Sequence, residues 1–179
     1  MKSKLTGLIL AGGSSTRMGT DKALIEYIGK PQVLYLADLI FPYCSKTLIS
    51  RNSKQEEISN CRYEIIHDDE NCENQGPLTG LISAIKKYPK DNFLILYCDL
   101  INVDKSVVEK LIRERDINKH ATCFEINGFP EPSMAIFENK SNHLLMQKYS
   151  AGKYSIIKFL KEFDTKKVIF EEQLKDKDE

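Results

Sequence analysis

The residues best suited to chemistry form the string Leu10-Ala11-Gly12-Gly13-Ser14-Ser15-Thr16-Arg17-Met18-Gly19-Thr20-Asp21-Lys22. Gly12 and Gly13 carry no side chain, so backbone N–H groups there can approach phosphate oxygens closely. Ser14, Ser15 and Thr16 add hydroxyl donors, and Arg17 and Lys22 add two cations near one mouth. A polyphosphate is the guest such a set suits. Two common phosphate loops do not fit. The spacing from Gly13 to Gly19 is one residue too long for G-x-x-x-x-G-K-[ST], and Thr20 follows where Lys is needed. Gly12-Gly13-Ser14 also breaks the dinucleotide fingerprint G-x-G-x-x-G. The plainer reading, a tight turn with solvated cations, would suffice for Gly12-Gly13 alone. It leaves the grouping of hydroxyls and cations unexplained.

Carboxylates recur after apolar runs. Asp99 follows Phe93–Cys98, where it either projects toward a ligand or simply starts a loop or caps a helix. Asp68 and Asp69 follow Tyr63–His67 and read either as ligands or as a solvated acidic turn. Gly76-Pro77-Leu78-Thr79-Gly80 reads as a helix start, and a helix N-terminus also attracts anions. His67, His120 and His143 lack metal-ligand spacing. Cys44, Cys61, Cys72, Cys98 and Cys123 are odd in number and contain no Cys-x-x-Cys, which suits reduced thiols better than zinc or a disulfide framework.

The elements that must position these residues alternate. Leu5–Leu10 is a continuous apolar run suited to a strand buried on both faces. Lys30-Pro31 opens a helix that Pro42 ends, with Pro31 expected in the first turn. Thr47–Ser50 and Tyr63–His67 read as strands, and Leu78, Leu81, Ile82 and Ile85 form a helical stripe. Phe93–Cys98 is a further buried strand, and Asp104 caps a helix carrying Val107, Val108, Leu111 and Ile112. Ala121–Ile126 and Ser133–Glu138 flank a hairpin at Asn127-Gly128, with Pro130 and Pro132 expected to lengthen the connection. Short helices around Leu144–Tyr149 and Ile156–Phe163 and a strand at Val168–Phe170 close the pattern. The expected fold is α/β, a three-layer αβα sandwich on a mostly parallel, mixed sheet, with ligands beyond the carboxyl ends of the strands.

Composition narrows the function. The chain has 179 residues, with 26 Lys+Arg against 26 Asp+Glu. That zero balance excludes a generic electrostatic nucleic-acid binder. The hydrophobic fraction of 41% excludes wholesale disorder. No apolar run approaches the roughly 20 residues that span a bilayer, so no membrane partner is expected. The basic start Met1-Lys2-Ser3-Lys4 opens like a secretory leader. The short apolar run after it reads better as the first strand of a cytoplasmic protein.

The segment Leu10 to Leu24, L-A-G-G-x-S-x-R-M-G-x-D-K-A-L, resembles the signature loop of the molybdenum cofactor guanylyltransferases, enzymes of the nucleotidyltransferase-like fold. Lys30-Pro31, Gly76-Pro77-Leu78-Thr79-Gly80, Tyr97-Cys98-Asp99 and Glu131-Pro132-Ser133-Met134-Ala135 resemble later segments of that family in the same order, from about residue 5 to 160. The resemblance implies a single nucleotidyltransferase domain over residues 1–179. It implies transfer of GMP from GTP to the phosphate of molybdopterin, with pyrophosphate released and Mg2+ as cofactor. It also implies that Leu10, Ala11, Gly12 and Gly13 line the nucleotide and that Lys22 binds its phosphates. Asp68 would be the nucleotide-binding acid, with Asp69 an alternative because one residue is inserted before Gly76. Asp99 would be the metal ligand, with Arg17, Lys22 and Asp99 serving catalysis. A labile pterin is a substrate that a transient partner could deliver.

The chain departs from the family at several points. Leu100-Ile101-Asn102 replaces a common Pro after the metal acid, Ser50 stands where Asn is usual, and the tail lacks N-x-N-x-x-x-x-L. Two rival readings follow: a related nucleotidyltransferase using CTP or a sugar-phosphate acceptor, and a catalytically silent nucleotide-binding protein.

Overall fold

A computed structural model describes residues 4–12, 21–26, 29–68 and 76–170. Strand β1 (Leu5–Leu10) lies third in a seven-stranded sheet. Helix α1 (Gln32–Ile40) leads through a 3-10 turn (Phe41–Tyr43) into β2 (Cys44–Arg51), and β3 (Glu64–His67) pairs beside it. The chain then returns through α2 (Leu78–Lys87) to β4 (Asn92–Tyr97) and α3 (Lys105–Arg113). After these come β5 (Ala121–Ile126), β6 (Phe129–Phe137), α4 (Asn142–Ser150), α5 (Ile156–Glu162) and β7 (Thr165–Ile169). The strand order is β3-β2-β1-β4-β6-β5-β7. β6 pairs antiparallel with both neighbours, and every other pairing is parallel. The expected mixed, mostly parallel sheet is therefore present.

Alternation along the strands divides the core into two layers. Ile9, Ile49, Leu94, Leu96 and Ile136 pack with Val33, Leu36 and Ile40 of α1 and Val108 and Leu111 of α3. Leu8, Leu48, Phe93, Ile95 and Phe137 pack on the other face with Leu81 and Ile85 of α2, Leu145 of α4 and Phe159 and Leu160 of α5. Each such side chain contributes about 1.5–3 kcal/mol on full burial. The continuous apolar runs of β1 and β4 exist because helices cover both faces.

Pro31 sits just ahead of α1, rather than in its first turn, and bridges Glu26. Asp104 caps α3 as expected, its Oδ1 accepting from Val107 N at 3.1 Å. The β5–β6 connection differs from expectation. Ile126 pairs directly with Phe129, so Asn127 (φ 52°) and Gly128 (φ 80°) alone make the turn, a left-handed pair suited to a tight hairpin. Pro130 and Pro132 lie inside β6. Pro130 pairs with Glu125, and β6 absorbs Pro132 by a register shift: Cys123 pairs with Ala135 but the next residue, Phe124, pairs with Glu131. Pro132, Ser133 and Met134 thus have no partner on β5, and Pro132 forfeits no ladder donor there.

Candidate active site

The chain runs outward from β1 to β2 and β3, then comes back to β4 on the other side of β1. That reversal leaves a crevice at the carboxyl ends of β1 and β4, the place where open α/β sheets bind ligands. Leu10, Ala11 and Gly12 leave β1 there. Ala11 N donates to Ser50 O (2.9 Å), and Cys98 N donates to Leu10 O (3.2 Å), so the exit of β1 is held between β2 and β4.

Asp68 follows β3 and closes one side. Its Oδ1 accepts from Ser50 Oγ at 2.8 Å. A Cβ on Gly12 would fall 2.5 Å from Asp68 Oδ2, so that residue must be glycine for backbone and carboxylate to lie together. Burial pushes the Asp68 carboxyl above its ordinary range, and the Ser50 hydroxyl bond and His67 partly offset this. Gly80, in the first turn of α2, answers the same crowding from above. A Cβ there would meet Leu10 Cδ2 at 2.7 Å and lie still nearer Ser50 Oγ. The helix N-terminus in Gly76-Pro77-Leu78 therefore comes down onto β1 and β2 with no side-chain cap on its first N–H groups.

Asp99 occupies a turn just past β4, in which Leu100 N donates to Tyr97 O at 3.3 Å. The carboxylate is exposed. Gln32, buried at the start of α1, donates to Leu100 O at 2.6 Å, and Tyr35 OH donates to Val103 O at 3.1 Å. The segment carrying Asp99 is thereby tied to α1. Beyond Asp99 opens a cleft of about 410 Å³ whose walls include Val107, Phe124, Glu131, Ser133, Met134 and Phe170. The stretch of β6 that has no partner on β5 forms one of those walls. Glu131 Oε1 accepts from Ser133 N (2.9 Å) and Ser133 Oγ (2.5 Å), which fixes its carboxylate at the mouth. Tyr97 lies beside both acids: burial raises its phenol, and the charges of Glu131 and Asp99 raise it further.

Lys22 lies in a 3-10 turn, Lys22–Leu24, whose cap is Asp21. Asp21 Oδ2 accepts from Arg51 Nη2 at 2.8 Å and from Gln55 Nε2 at 3.1 Å. The structure thus brings Leu10, Ala11, Gly12, Asp68 and Asp99 to one edge, with Lys22 on the segment that re-enters it. Gly13 and Arg17, and the alternative acid Asp69, lie outside the described residues. Reading by motif noted Ser50 only as a departure from the usual Asn and passed over Arg51, Gln55 and Gln32. Two carried a signal. Gln32 falls in the buried stripe with Leu36 and Ile40, and Arg51 ends a strand in which Leu48 and Ile49 are buried, so each polar group there needs a partner.

Among the described residues no three His, Cys, Asp or Glu side chains form a metal cluster. An exposed single carboxylate with open space beside it suits a hard cation that keeps waters and takes its other ligands from phosphates, as magnesium does. A dedicated protein cage is the arrangement it does not suit.

Solved nucleotidyltransferases share this class of fold. 2-C-methyl-D-erythritol 4-phosphate cytidylyltransferase from Thermus thermophilus superposes with a TM-score of 0.67 at 11% identity, covering 94% of this chain and 90% of that one. Molybdopterin-guanine dinucleotide biosynthesis protein A from Archaeoglobus fulgidus superposes at 0.74 and 18% identity, covering 92% and 83%. Residues 7–165 match the MobA-like NTP transferase domain, and the chain belongs to that family of nucleotidyltransferases. It is 35% identical over 162 residues to a molybdenum cofactor biosynthesis bifunctional protein of Synechocystis sp., spanning 89% of this chain and 46% of that protein's length. It is 31% identical over 154 residues to a molybdenum cofactor guanylyltransferase of Pseudomonas putida, spanning 86% of this chain and 80% of the relative. No helix among the described residues is long and apolar enough to cross a membrane.

Proposed function

We propose that the chain is a cytoplasmic nucleotidyltransferase, a single domain over residues 1–179, that moves GMP from GTP onto the phosphate of molybdopterin. The observation that carries this reading is the convergence of Leu10-Ala11-Gly12, Asp68 and Asp99 on one crevice, with an apolar and aromatic cleft opening directly past Asp99. The relatives' names supply the substrates.

In this reading the nucleotide lies along the exit of β1. Gly12 gives its backbone close access, and Asp68, steadied by Ser50, takes polar hydrogens of the nucleoside. Lys22 faces the β- and γ-phosphates, whose negative charge grows as pyrophosphate departs, and Arg17 is the second cation assigned to offset it. Asp99 would hold a magnesium ion, which would lend positive charge to the triphosphate oxygens. The acceptor occupies the cleft, its ring against Phe124, Met134 and Phe170 and its phosphate toward Asp99. An oxygen of that phosphate bonds to the α-phosphorus. The bond from α-phosphorus to the bridging oxygen breaks, and pyrophosphate leaves with the electron pair. The nucleophile is itself a phosphate anion, so no protein base is required. The exposed mouth of the cleft would let a transient partner hand over a labile pterin.

The test is pyrophosphate release in magnesium buffer with molybdopterin and, in turn, GTP, CTP, ATP and UTP. Release with GTP alone is expected. Release with CTP instead would move the protein to the rival class, and nucleotide binding without release from any acceptor would make it a silent binder.

A further inference from the structure

Glu131 enters the cleft past Asp99 on a stiff frame. Its half-buried side chain precedes Pro132, so the backbone of Glu131 is confined to extended angles and the next φ is locked. Ser133 has a partner on neither β5 nor β4, and its N–H turns to a side chain instead. Glu131 Oε1 accepts from Ser133 N (2.9 Å) and Ser133 Oγ (2.5 Å). Glu131 Oε2 accepts from no described residue, and no described cation pairs with the carboxylate. The register shift therefore holds one carboxylate oxygen still and leaves the other open.

The described residues lining the cleft supply two acids, Asp99 and Glu131, and no Lys, Arg or His. Lys110 lies 5.7 Å from the Phe170 ring centre, but it donates to Ile169 O at 3.3 Å. Most of the remaining wall is apolar, with Phe124 and Phe170 meeting edge to face at 5.0 Å. A carboxylate can only accept hydrogen bonds. A ligand that set a carbonyl or phosphate oxygen against Glu131 would leave two acceptors facing each other in apolar surroundings, with neither satisfied. A flat ring with adjacent N–H groups meets the opposite case, and the fixed side chain loses little freedom in meeting it. We infer that Glu131 selects and orients the acceptor, its carboxylate taking the N–H donors at the 2-amino-4-oxo edge of a pterin ring. That turns the acceptor's own phosphate away from Glu131 and toward the Asp99 side. The inference rests on the proposed function in seating the acceptor in this cleft.

The test uses the whole chain, as wild type and as Glu131→Gln. The probes are pterin and lumazine, a pteridine with a carbonyl oxygen in place of the 2-amino group, their Kd read by ligand fluorescence. Wild type is expected to hold pterin at least about tenfold more tightly than lumazine, the size of one charged hydrogen bond. Glu131→Gln is expected to lose that preference, because an amide can donate to the lumazine oxygen as readily as it accepts from the pterin nitrogen. In turnover, Glu131→Gln should raise KM for molybdopterin about tenfold and leave the Kd of magnesium GTP unchanged. Wild type that binds pterin no better than lumazine overturns the inference. So does a Glu131→Gln protein that keeps the preference, whose KM for molybdopterin is unchanged, or whose Kd for magnesium GTP rises as much. A preference that Glu131→Gln abolishes, in a wild type that releases no pyrophosphate from GTP and molybdopterin, would instead defeat the proposed function and leave the reading of Glu131 standing.

Discussion

Two arginines are equally buried at opposite edges of the sheet, and their surroundings answer them differently. Arg115, beyond α3, meets Glu138 in a two-pronged pair, Nε to Oε1 at 2.6 Å and Nη2 to Oε2 at 2.7 Å, with both side chains at most 4% exposed. β6 runs opposite to its neighbours, so Glu138 falls at the amino edge, away from the crevice. Arg51, at the carboxyl edge, makes a single bond to a carboxylate that reaches solvent, and its Nη1 has no partner among the described residues. The closed pair fastens a helix to a strand. The open pair fastens the turn Lys22–Leu24 to the end of β2. The complete pairing stands at the edge away from the crevice, and the incomplete pairing at the edge proposed to bind the nucleotide.

The largest expected effect strikes the closed pair. Arg115→Met leaves Glu138 buried and uncompensated, and should cost about 3–5 kcal/mol in urea unfolding while turnover per folded molecule stays near wild type. A matching loss of turnover would erase the contrast between the edges. Asp99→Ala should do the reverse, lowering pyrophosphate release by about 10²–10³, or about 2.7–4 kcal/mol, with stability changed by less than about 0.5 kcal/mol. Gly80→Ala sharpens the comparison within the binding edge. The added methyl must displace Leu10 or Ser50, costing about 1–3 kcal/mol of stability and weakening GTP binding together.

The smallest effect is one of pH. The folded state holds the Asp68 proton to higher pH than the unfolded chain, whose value lies near 3.8. Its contribution to stability is therefore full below that value and declines as pH rises toward the raised folded value. Asp68→Asn should remove that decline in urea titrations across the window, and should still weaken nucleotide binding at neutral pH.

Much of this was legible from residues. Leu5–Leu10 and Phe93–Cys98 announce buried parallel strands because no charged residue interrupts them, and such strands place their carboxyl ends at the crevice. Gly12 and Asp99 follow those runs, so their common edge could be foreseen. The tethers could not. Gln32 reaches Leu100 and Arg51 reaches Asp21 across 68 and 30 residues of sequence, and no local period encodes such a meeting. Pro130 and Pro132 misled for a related reason. A proline argues against a strand only if its missing donor was needed, and the register shift in β6 removes that need at Pro132.

That shift carries a further consequence. Pro132, Ser133 and Met134 are released from β5, while β4, which leads into Asp99, keeps its own ladder with β1. Met134 still pairs with Leu96 of β4, but Pro132 and Ser133 have a partner on neither neighbouring strand. The wall facing the proposed acceptor can therefore be recoloured at those two positions, and one donor apparatus fitted to a new recipient, without touching the ladder that presents the acid.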